Sequence, residues 1–107
     1  MPPIKPFSIK FAPEVVEHLY RIDKKYHRLI RKTIRDKLTY PPGKETRNRK
    51  LLDQPSPHNA TWELRFGPDN CFRVFYEIDN EHQEVWILAI GRKEGNQLFI
   101  GGEEYSK

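Results

Sequence analysis

The residues best equipped for chemistry in this chain are arginines in a run of alternating hydrophobicity, WELRFGPDNCFRVFYEID, from Trp62 to Asp79. Trp62, Leu64 and Phe66 alternate with Glu63 and Arg65. Beyond the turn formers GPDN, Phe72, Val74, Tyr76 and Ile78 alternate with Cys71, Arg73, Phe75 and Glu77. A period of two interrupted by Gly-Pro-Asp-Asn predicts a β-hairpin. It also sets Arg65 and Arg73 at near-mirrored places on the face that the apolar set leaves free. Guanidiniums gathered there grip phosphate bidentately and stabilise charge developing at phosphorus. Arg92 and Lys93 follow the next apolar run, and Arg47, Arg49 and Lys50 precede the hairpin, so the cationic set extends in both directions. Phe75, lying between the charges, is a candidate for stacking a base. The plainer alternative is a solvated face on which each arginine is paired across strands with Glu63 or Glu77. The pattern alone leaves both readings open.

Other chemistries are less well served. Cys71 is the single cysteine, so no disulfide framework is expected, and a reducing cytosol fits best. No histidine has a context that marks it as partner to that thiol. His18, His27, His58 and His82 lack ligand spacing, so neither a metal nor any other cofactor is expected. The GRKEG stretch lacks the spacing of a phosphate loop. No apolar run is long enough to cross a membrane and no secretory leader is visible, which implies a cytoplasmic protein with no membrane partner. The net charge of +4 suits a polyanion such as RNA or DNA, or an acidic protein.

The elements that must position these residues follow from periodicity. FSIKF, residues 7–11, alternates as a half-buried strand. From Pro13 a helical pattern carries Val15, Val16, Leu19, Ile22 and Tyr26, then Ile30, Ile34 and Leu38 at steps of four. Its length predicts two helices divided near Asp23 to His27, with Pro41 and Pro42 ending the second. A loop of about twenty residues, typical of a functional or mobile segment, follows, with Leu51 and Leu52 pinning it to the core. EVWILAIG, residues 84–91, is apolar throughout and reads as a strand covered on both faces. The tail is expected to dock through Leu98, Phe99 and Ile100. The sum is an α+β fold in one domain over residues 1–107: an N-terminal strand, a helical hairpin, then a three-stranded antiparallel meander with the helices on one sheet face.

Three segments in this order, KLLDQ, the hairpin sequence and VWILAIGRKEGNQLF, resemble the RelE/ParE superfamily of toxins from type II toxin–antitoxin systems. The aromatic-x-Leu-Arg, the Phe-Arg-Val-Phe-Tyr strand and the Gly-Arg-Lys after the last strand carry the resemblance, which spans nearly the whole chain. It implies the RelE-like microbial ribonuclease fold, an antitoxin protein as partner, and, in the RelE branch, metal-independent cleavage of messenger RNA on the ribosome by attack of a 2′-hydroxyl on the adjacent phosphate. By position, Arg65 falls where that branch has a strand lysine and Arg73 matches its central arginine. Lys93, or Arg92, falls where it has an arginine after the last strand. Glu63 stands in place of a further lysine, and Phe99 near a tyrosine. The resemblance thus implies catalytic positions at Glu63, Arg65, Arg73 and Lys93, with Glu63 either a general base or an arginine's partner. Arg47, Arg49, Lys50, Arg92 and Phe75 remain as RNA contacts. Since phenylalanine cannot transfer a proton, two alternatives accompany this reading: a ParE-like toxin that binds DNA gyrase without cutting RNA, and a degenerate toxin that serves only with its antitoxin in operon repression.

Overall fold

A computed structural model describes residues 5–40 and 44–106. The expected helix stop at Pro41 and Pro42 lies outside them, as do the first four residues of the loose start. Strand β1 (Ser8–Phe11) leads into helix α1 (Val15–Tyr20), a single 3-10 turn over Lys24–Tyr26, and helix α2 (His27–Leu38). The break falls where it was expected, and Asp23 begins the turn by accepting the Lys25 amide at 3.0 Å. Then come β2 (Arg49–Leu51), β3 (Trp62–Phe66), β4 (Phe72–Asp79), β5 (Glu84–Glu94), β6 (Gln97–Ile100) and β7 (Glu103–Glu104).

The α+β class and the central β3–β4–β5 meander agree with the sequence, but the sheet is larger. Its strands run β2-β3-β4-β5-β6-β7, with β1 added in parallel to β5. The tail does not merely dock: β5 continues to Glu94 and turns back into β6, so Leu98 pairs with Lys93 and Phe99 with Arg92. Strands β1 and β6 share one edge of β5. The first pairs with Glu84 to Ile87 and the second with Gly91 to Glu94. In the gap between them the Ile90 amide donates to Nδ1 of His18 at 3.2 Å, so a side chain from α1 completes the ladder.

Helix α2 sets Ile30, Ile34 and Leu38, each at most 1% exposed, against Leu64, Val74, Tyr76, Ile87 and Ile90 on the sheet. Full burial of each such side chain stabilises the fold by about 1.5–3 kcal/mol. The apolar run in β5 has a different cause from the one expected. The register with β4 shifts between Phe75 and Tyr76, leaving Leu88 as an extra residue. The bulge inverts the alternation, so Val85 and Ile87 before it, and Ile90 after it, all join the helix-side core. Trp86, by contrast, is exposed. The other face has a smaller core of its own, in which Ala60, Phe75 and Ala89 pack with Leu52, Leu98 and Ile100. Leu52 therefore pins the loop, whereas Leu51 projects into solvent.

Candidate functional site

Arg65 and Arg73 are direct cross-strand neighbours on β3 and β4, on the face away from the helices. Gly91 on β5 is the next residue in that row. The hairpin that aligns them closes through Gly67, at φ 83°, followed by Asp69 and Asn70, both left-handed. A Cβ on Gly67 would lie 2.3 Å from the Phe72 ring, so only glycine lets the chain turn there. The two guanidiniums converge on a single oxygen. Arg65 Nε donates to Glu63 Oε1 at 2.5 Å, and Arg73 Nη1 donates to the same oxygen at 3.4 Å. Arg73 Nε also donates to the Asn70 carbonyl at 3.0 Å, which fixes its stem.

The three groups differ in exposure. The Glu63 side chain is 7% exposed, that of Arg73 11%, and that of Arg65 38%. Burial pushes the Arg73 guanidinium below its ordinary pKa and the Arg65 charge adds to this, while the Glu63 carboxylate opposes both. At neutral pH the group is still a cation. The cluster is thus a carboxylate held beneath two arginines, with Arg65 its solvent-facing arm. Glu77, the other acid weighed as a partner, instead accepts a hydrogen bond from the Thr61 hydroxyl.

Lys50 and Lys93 lie on the same face. Lys50 sits opposite Glu63 on β2, and Lys93 follows Gly91 by two residues on β5. Beside Arg73 the sheet end opens into a depression of about 510 Å³ whose walls include Tyr26, Asp69, Cys71 and Lys93. The contribution of Tyr26 was not legible. Its place in the helical pattern marked it as core, and only the tertiary fold packs its ring on Phe72 at 5.0 Å beside the cations.

Two expected RNA contacts, Arg49 and Phe75, are placed elsewhere, and a third, Arg92, borders the depression from the other face of the sheet. Arg49 pairs with Leu64 and so points to the helix side, where Nη2 donates to the Lys37 carbonyl at 2.8 Å. Alternation along β2 forces this, because its neighbour Lys50 takes the site face. Arg92 pairs with Phe72 and also lies on the helix side, near Glu94 at 3.6 Å, since the Leu88 bulge reverses the phase of β5. Phe75 is on the expected face but only 1% exposed, covered by Leu52 and Ala60, so it offers no ring to a base. Arg47 is exposed in the tight turn joining Thr46 to Arg49. Phe99 shares the Arg92 side and lies outside the cluster. His18 and His58, forty residues apart in sequence, meet edge to face at 5.2 Å. Among the described residues no three potential metal ligands converge, and no helix is long and apolar enough to cross a membrane.

A chain of the toxin–antitoxin complex RelBE2 from Mycobacterium tuberculosis superposes with a TM-score of 0.68 at 22% identity, over 85% of this chain and 95% of that one. Likeness at that identity establishes a shared fold. No functionally curated protein matches the sequence. The family model described as the ParE toxin of type II toxin–antitoxin systems matches residues 9–96. That stretch runs from β1 through the arginine hairpin to the β5–β6 turn, and it includes every residue of the cluster. This chain is therefore a member of the ParE toxin family, the toxin component of a type II toxin–antitoxin system.

Proposed function

We propose that the cluster of Glu63, Arg65, Arg73 and Lys93 is a phosphodiester site, and that this toxin acts in the cytoplasm by cleaving messenger RNA without a metal, on the ribosome, with an antitoxin as its silencing partner. The observation that carries the reading is the convergence of two cross-strand arginines on one carboxylate oxygen. A geometry that holds a carboxylate oxygen between two guanidiniums also suits a non-bridging phosphate oxygen.

In the proposed step the 2′-oxygen bonds to phosphorus and its proton passes to Glu63. The bond from phosphorus to the 5′-oxygen breaks, and that oxygen takes a proton from the Lys93 ammonium. A cyclic phosphate and a free 5′-hydroxyl result. Arg65 and Arg73 bind the phosphate and stabilise its added negative charge. Arginine stays protonated and does not serve as the base. Lys50 and Arg47 guide the RNA backbone electrostatically.

The test is primer extension on messenger from ribosomes programmed in vitro, incubated with wild type or Arg65→Ala. Expected are discrete cuts with wild type and a loss of about 10²- to 10³-fold with the variant, the scale for removing one preorganised donor. An absence of cuts from a wild type that arrests growth overturns the ribonuclease reading. The second reading, binding to DNA gyrase, is favoured by the family's ParE description and by the partial neutralisation of the two arginines by Glu63. It predicts loss of supercoiling activity when purified DNA gyrase is incubated with wild type.

A further inference from the structure

We infer that Glu63 is a resident stand-in for the phosphate: its carboxylate occupies the anion seat between Arg65 and Arg73 in the free toxin, and a phosphodiester binds by taking both guanidiniums away from it. The inference rests on the phosphodiester reading above and adds to it a positioning and affinity-setting role for Glu63 that precedes any chemistry.

The geometry fits exchange better than a permanent structural pair. Both arginines use the same atom, Oε1, so Glu63 acts as a single anionic oxygen rather than as two separate partners. The contact with Arg73 is long at 3.4 Å, whereas Arg73 holds the Asn70 carbonyl at 3.0 Å. Arg73 therefore stays in place when Oε1 leaves. Arg65 has no second anchor among the described side-chain bonds, and its side chain is the exposed member. It is thus free to follow an incoming anion. The depression beside Arg73 and Lys93 gives that anion an approach that does not cross the loop covering Phe75.

Exchange has two consequences. With two arginines and one carboxylate, the free seat carries a net charge of +1. Weak anions are refused, because they must displace a carboxylate already desolvated and held at short range. A phosphodiester flanked by further phosphates over Lys50, Lys93 and Arg47 gains enough elsewhere to displace it. After exchange, Glu63 loses two cationic neighbours and gains an anionic one. The carboxylate is thereby released from both guanidiniums and free to face the 2′-hydroxyl only once RNA is seated.

The test compares wild type with Glu63→Gln, which keeps shape and removes charge. Binding of a 2′-deoxy hexanucleotide is measured by fluorescence anisotropy, and melting is followed in inorganic phosphate against chloride of equal ionic strength. The expected results are about tenfold tighter oligonucleotide binding by Glu63→Gln, a phosphate-specific rise in its Tm larger than that of wild type, and loss of the gain when Arg65→Ala is added. In cleavage assays KM and kcat fall together, whereas a purely structural role lowers Tm and leaves the phosphate dependence unchanged. Should Glu63→Gln not fold, Glu63→Asp keeps the charge but shortens its reach, and a smaller gain of the same sign is expected. A folded variant with unchanged or weaker anion binding overturns the inference, even if wild type cleaves messenger. Tighter phosphate binding by the variant with no cleavage by wild type leaves the inference intact and removes the ribonuclease reading instead.

Discussion

Replacing Arg73 with alanine should cost this protein stability as well as activity, and the size of the first effect follows from its contacts. The side chain is 11% exposed and makes two polar contacts, to Glu63 Oε1 and to the Asn70 carbonyl. Removing one member of a buried ion pair typically costs about 3–5 kcal/mol, because the remaining charge is stranded. Here Glu63 keeps its shorter contact with the half-exposed Arg65, which lowers the expectation to about 2–3 kcal/mol. At about 4–8 °C per kcal/mol for a domain of this size, Tm should fall by roughly 10–20 °C. The double variant Arg73→Ala/Glu63→Gln removes the stranded charge and should recover more than half of that loss. The assay is thermal unfolding by circular dichroism for wild type, both single variants and the double. A Tm for Arg73→Ala within about 2 °C of wild type would refute the claim that the pair is buried and coupled. So would a double variant whose loss is the sum of the two single losses.

Three further outcomes are expected. Arg47→Ala should weaken RNA binding and lower its salt slope by about one while leaving the rate at saturation intact; Arg49→Ala should leave the salt slope unchanged and lower Tm, since its guanidinium holds the Lys37 carbonyl on the far side of the sheet. Gly91→Ala should destabilise by about 1–3 kcal/mol through overpacking, because its Cβ would lie 2.9 Å from the Phe99 carbonyl and 3.0 Å from Ile100. Acid should loosen the gap in the β5 edge. Burial, helped by the neighbouring His58 charge, lowers the pKa of His18 from its ordinary 6.5 against the opposing pull of Glu14 and Glu17. The folded state therefore binds fewer protons than the unfolded one, and His18's contribution, complete above 6.5, is lost as pH falls through the depressed value. His18→Asn, which keeps an acceptor for the Ile90 amide, should flatten that fall. His82, raised by its hydrogen bond to Asp79, slopes the opposite way and remains as a background in both proteins.

The pairing of Arg65 with Arg73 was legible because it depends on two local facts, a strict period of two and a turn that only glycine closes. The helix break at Asp23 was legible from the length of the helical pattern. The faces that Arg49 and Arg92 take were not legible, because their phase depends on strand partners remote in sequence. Pairing with β3 sets the phase of β2, and a bulge at Leu88 reverses that of β5. An uninterrupted apolar run conceals such a reversal, since every position looks buried whichever way it points. Phe75 was misjudged because pattern does not tell where a long loop will lie, and this one covers the ring with Leu52 and Ala60. The bond from His18 to Ile90 spans 72 residues and leaves no local trace.

The shared edge of β5 also fixes an order of events in time. Ser8 has its partner at Glu84, so β1 waits for most of the chain to be synthesised before it has anything to pair with. The helices emerge early, yet apart from Ile9 on β1 the sheet residues that share a core with Ile30 and Ile34 begin at Trp62. Contacts of such sequence separation form late, and a chain still on the ribosome that makes it exposes its apolar helix face until β5 has emerged. For a toxin this delays the active fold to the end of synthesis and leaves an interval in which the unfinished chain is harmless. Nascent chains arrested before Glu84 should accordingly be cleaved readily by protease within α1, and those extended past Glu94 and clear of the exit tunnel should resist.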